Sequence, residues 1–146
     1  MMKTRLLLIL VAILLPLHLT AQTGLAVNRV FQGHLVPQRQ MVEVKVKGRA
    51  LNEYRLTFYH SVRFNATAQQ KAAIDALVAT DRRTARSTEE RSKGRNASTI
   101  LTLPKRGRTN RFLCYLTKRK GKVIVTTLAY MEGSVANIDE LRRLIE

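Results

Sequence analysis

At 146 residues the chain is long enough for one domain and one modest core. Its 26 Lys and Arg against 10 Asp and Glu give a net charge of +16, which leaves few carboxylates for acid–base chemistry or for cation binding. The single cysteine, Cys114, excludes an internal disulfide.

The chain opens with Lys3 and Arg5, a continuous apolar run over residues 6–17, and Leu19-Thr20-Ala21. That is the layout of a secretory signal peptide covering residues 1–21, cleaved after Ala21. The run is shorter than the ~20 residues of a comfortable transmembrane helix, so an uncleaved anchor is the weaker alternative. No cysteine follows it to support a lipoprotein anchor. The expected mature chain begins near Gln22 and is exported to the periplasm or secreted. Removing Lys3 and Arg5 takes the net charge from +16 to +14. Such a chain is attracted to anionic surfaces, more strongly at low salt.

Residues 25–31 form a first short strand candidate, and 33–40, with Gly33 and Pro37, read as a loop. Over 41–47, Val42, Val44 and Val46 alternate with Glu43, Lys45 and Lys47, the pattern of a half-exposed antiparallel strand. Residues 54–64 alternate again, with Tyr54, Leu56, Phe58, His60, Val62 and Phe64 expected on one face. Thr67 and Gln70 form a capping box for a helix over 68–80, whose apolar stripe is Ala73, Ile74, Leu77 and Val78. Residues 81–97 hold almost nothing apolar and are expected as a basic mobile excursion. A strand at 98–103 ends at Pro104.

Residues 111–117 and 123–131 are apolar on both faces, as in central strands covered on both sides. Between them Gly121 supplies a positive φ to a hairpin turn crowded with Lys118, Arg119, Lys120 and Lys122. Asn137 then caps a helix over 138–145, with Glu140 at its third position.

The order reads βββα-βββα, which predicts a single α+β domain over residues 22–146. Its form is a mainly antiparallel sheet with two helices on one face. The sequence QTGLAV at 22–27 after the leader, VKG at 46–48, YRLTF at 54–58 and above all YMEG at 130–133 before a capped helix carry a resemblance. The chain resembles a family of small exported proteins of gut-type Gram-negative bacteria, of unknown function. That resemblance implies an envelope location and supplies no catalytic residue.

No phosphate loop, Ser/His/Asp arrangement, paired carboxylates or metal-ligand spacing occurs, so catalytic, cofactor and metal residues are all expected to be absent. His34 falls in a loop. One enzymatic reading survives: a small hydrolase with Cys114 as nucleophile and His60 as base. It requires the two side chains to meet. The favoured reading is a non-enzymatic binding or interaction module using a cationic surface, with an anionic envelope component or an acidic protein as partner. Nucleic acid is disfavoured, because the basic runs lack exposed aromatics. The candidate anion- or partner-binding residues are Lys118, Arg119, Lys120 and Lys122 at one turn, and Lys105, Arg106 and Arg108 at another. Both turns bracket the strand at 111–117, so two separate patches are expected.

Overall fold

The structure, a computed structural model, describes residues 24–145. The leader expected at 1–21 lies outside them. Six strands form one antiparallel sheet: β1 (Val42–Lys47), β2 (Leu56–Ala66), β3 (Ser87–Lys93), β4 (Asn96–Arg106), β5 (Thr109–Lys120) and β6 (Val123–Gly133). Their spatial order is β1-β2-β6-β5-β4-β3. The helices are α1 (Asn28–Phe31), α2 (Ala68–Arg82) and α3 (Ile138–Ile145).

The fold is α+β, but the elements run α-ββ-α-ββββ-α rather than βββα-βββα. Residues 25–31 hold the short helix α1 instead of a strand. Their backbone is fixed from outside: Asp81 of α2 accepts the N–H of Ala26 at 2.7 Å and of Val27 at 3.0 Å. The basic stretch at 81–97 carries the missing strand, β3, paired with β4 from Ser87↔Thr102 to Lys93↔Asn96. It is polar because it is an edge strand, where charge discourages further pairing. Pro104 does not end β4; a register irregularity between Leu103 and Arg106 accommodates it, beyond the last residue that pairs with β3.

The two long helices lie on opposite faces, not on one. On the first face, Ile74 and Val78 of α2 and Val27, Val30 and Phe31 of the N-terminal segment pack on Phe58, Val62, Leu113, Leu128 and Tyr130. On the second, Leu141 of α3 and Leu51 of a 3-10 turn (Arg49–Tyr54) join Ile100, Phe112, Cys114, Ala129 and Met131. Strands β5 and β6 are central, and both their faces are apolar, as expected of strands covered on two sides. In β2 the alternation breaks at a bulge between Leu56 and Phe58. Phe58 and Phe64 therefore join the first core and Leu56 the second, rather than all sharing one face.

The caps read from sequence are present. Thr67 and Gln70 bond reciprocally at the start of α2. Asn137 Oδ1 accepts the Glu140 N–H at 2.9 Å at the start of α3. α3 is tied sideways by Arg142 to Glu89 of β3 at 2.7 Å and by Glu140 to Arg55 at 3.0 Å. The first tie reaches the edge strand β3 and the second the residue before β2, so α3 crosses one end of the second face, and the part around Val44, Tyr59, Leu116 and Thr127 is left open.

Candidate functional site

Cys114 and His60 do not meet. His60 of β2 pairs with Tyr130 of β6, which pairs with Leu113 of β5. Cys114, the next residue, points to the opposite face of the sheet. His60 packs against Phe31 at 4.7 Å between ring centroids, and its Nε2 lies 3.4 Å from Glu43. Burial lowers its pKa first; Glu43 opposes and Lys45 reinforces that shift. Cys114 has no exposed surface, and burial pushes its thiol up to about 12, with the Arg142 charge pulling weakly the other way. A neutral, sealed thiol on the far side of a sheet from the nearest buried imidazole is not an activated nucleophile. The Cys114/His60 hydrolase is thereby overturned. His34 is exposed, and among the described residues no three His, Cys, Asp or Glu converge as metal ligands.

The two cationic turns stand at opposite ends of β5. Lys105, Arg106 and Arg108 flank Gly107 at one end, and Lys118, Arg119, Lys120 and Lys122 flank Gly121 at the other; all seven are exposed. The 12 residues of β5 put these ends about 35 Å apart, so they form two patches. At the Lys105 end acids intervene, with Arg106 at 3.7 Å from Glu132. At the Lys118 end the turn joining β3 and β4 comes alongside: the Arg119 N–H donates to the Arg95 carbonyl at 3.1 Å. Lys93 and Arg95 thus add to this cluster, which the linear sequence leaves more than 20 residues away.

Beside that cluster lies the feature that sequence reasoning missed. The open part of the second face is an apolar groove with a cavity volume of about 360 Å³. Its floor is Cys114, Leu116, Ala129 and Met131, and its walls are Val44 and Val46 of β1 and Tyr54 and Leu56 at the 3-10 turn. Val44 is 42% exposed and Tyr54 39%, while Met131 beneath them is fully buried. Each lining residue looks like ordinary core in the sequence. Only the absence of a covering helix, which is a tertiary fact, makes them a site. The sequence marks Val42, Val44 and Val46 as the apolar face of a half-exposed strand, but the structure leaves that face open, with Val42 66% and Val44 42% exposed.

The volume lies at the lower end of the ~300–1,000 Å³ typical of small-ligand pockets. Residues 14–145 match a family described as "Family of unknown function (DUF6108)". The chain belongs to that family. No curated protein and no solved structure matches it. Membership in the family therefore brings no substrate or activity with it, and the chemistry rests on the groove and its surroundings. One family-scale match spans the entire described domain, the groove-forming strands included. Among the described residues no helix is long and apolar enough to cross a membrane.

Proposed function

We propose that this family member is exported, in a gut-type Gram-negative bacterium, to the periplasm or beyond. There it acts as a non-enzymatic binding module of the cell envelope. The observation that carries this reading is the groove: an apolar trough on the open face of a sheet, whose one thiol, Cys114, is sealed beneath the floor and kept protonated by burial. Such a surface can hold an apolar chain by removing it from water, at roughly 25 cal/mol per Å² covered. The leader over 1–21 supports export, and the excess of cations supports contact with anionic envelope components or an acidic protein.

Two measurements test it. Intact mass of the protein recovered from the envelope fraction should begin near Gln22; a mass retaining residues 1–17 would overturn cleavage and export in this form. The neutral apolar fluorophore N-phenyl-1-naphthylamine should bind the purified protein. Thr127→Phe, which fills the groove from β6, should weaken that binding about tenfold or more. Binding insensitive to Thr127→Phe, or no binding, would remove the groove as the site.

A further inference from the structure

Resting on that reading, we propose that the groove takes a single-chain anionic amphiphile, its tail on the groove floor and its anionic head between Arg63 and Lys118. The register places these residues. Arg63 of β2 pairs with Thr127 of β6, and Thr127 pairs with Leu116 of β5. Thr127 and Leu116 form the end of the groove away from the 3-10 turn. One step further along the same face of β5 stands Lys118, paired with Val125 of β6. Arg63 and Lys118 therefore project from the same face of the sheet, on strands separated only by β6. Strands are spaced about 4.8 Å apart, so an anion over Thr127 and Val125 lies within reach of both long side chains.

The surrounding charge has one sign. Lys120 follows Lys118 on this face, and Arg91 and Lys93 stand on the same face of β3. The acid nearest to them on that face, Glu89, is already held by Arg142 at 2.7 Å and Arg91 at 3.2 Å, and those contacts keep its carboxyl below the usual range. The other end of the groove is stopped by the 3-10 turn. The trough is thus apolar and closed at one end, and open and cationic at the other, which matches a molecule with one tail and one negative head. The cavity of about 360 Å³ suits one chain rather than two.

The test compares heads on a constant tail. Dodecanoate and dodecyl phosphate, below their micellar concentrations, are titrated against monododecanoylglycerol by displacement of N-phenyl-1-naphthylamine. At least one of the two anions should bind about tenfold tighter than the neutral ester at low salt, an advantage shrinking at high salt. The arm that wins distinguishes a carboxylate from a phosphate head. The double substitution Arg63→Gln, Lys118→Gln should abolish the advantage while leaving the neutral ester within about twofold. Both sites are exposed, so folding should survive, and an unchanged melting temperature verifies this. Equal affinity for charged and neutral heads, with Thr127→Phe still blocking both, would overturn the anionic ligand and leave the apolar groove standing. A dimer dispersed by Thr127→Phe and indifferent to amphiphiles would overturn the proposal in favour of self-association.

Discussion

Gly133 meets the backbone of Arg55 so closely that a Cβ at Gly133 would lie 2.3 Å from the Arg55 carbonyl oxygen. It would also lie 2.6 Å from the Leu56 Cα. The same oxygen accepts the N–H groups of Ser134 at 2.9 Å and Val135 at 3.1 Å. Arg55 sits there in the left-handed region, with φ of 56°, just before the bulge that swings Leu56 into the groove wall. Neither backbone can retreat without breaking those bonds. Gly133→Ala should therefore destabilise by about 1–3 kcal/mol or more, as overpacking does. Urea unfolding measures it, and a loss below about 0.5 kcal/mol would show that the crossing can relax.

Cys114 should behave as a small apolar side chain. Native protein is expected to react with a thiol reagent at neutral pH only on unfolding, since the thiol is buried and its pKa pushed up to about 12. Cys114→Ser buries a hydroxyl and should cost about 1–3 kcal/mol. Rapid labelling of the folded protein contradicts this account.

Stability should fall on mild acidification, through His60. Its folded pKa is lowered below the ordinary 6.5, by burial first, so the folded protein binds its proton less readily than the unfolded chain. The contribution is complete above pH 6.5 and is lost as pH falls from there through the lower folded pKa. Glu43 and Lys45 are the charged groups that act on it, and they oppose one another. A melting temperature that declines below pH 6.5 in the native protein, and declines less in His60→Gln, is the expected result. Identical slopes would assign the acid sensitivity elsewhere.

The buried carboxylate of Asp81 fastens the N-terminal segment to α2 by accepting two backbone N–H groups. In Asp81→Asn one of those acceptors becomes a donor, so a charge-assisted bond worth about 1.5–3 kcal/mol is lost. Amide exchange at Ala26 and Val27 should speed up well before that of the sheet. Unchanged protection there would mean that packing of Val27, Val30 and Phe31 holds the segment unaided.

Replacing Lys118, Arg119, Lys120 and Lys122 together with Gln should move the melting temperature little, because exposed charges on a turn contribute little to stability. Retention on an anionic resin should drop clearly at low salt. Unchanged retention would place the dominant anion contacts on cations outside this turn.

The sequence by itself determined whatever depends on neighbours within a few residues. Alternation marked β1 and most of β2, and two-sided apolar runs marked β5 and β6 as central. Thr67 with Gln70 and Asn137 with Glu140 fixed both caps, since a cap closes within one helical turn. Gly121 located its turn for the same reason, with φ of 63°. Local signals failed where a distant partner set the conformation. Residues 28–31 are helical with Asp81 fastening the backbone just ahead of them, and β3 is a strand because β4 offers it an edge. The side on which each helix packs, the separation of His60 from Cys114, and the groove itself were decided by tertiary structure alone. A buried apolar residue and a groove-lining one carry the same side chain. What distinguishes them is whether another element covers them, and that depends on Arg142 reaching Glu89 and on Gly133 passing under Arg55.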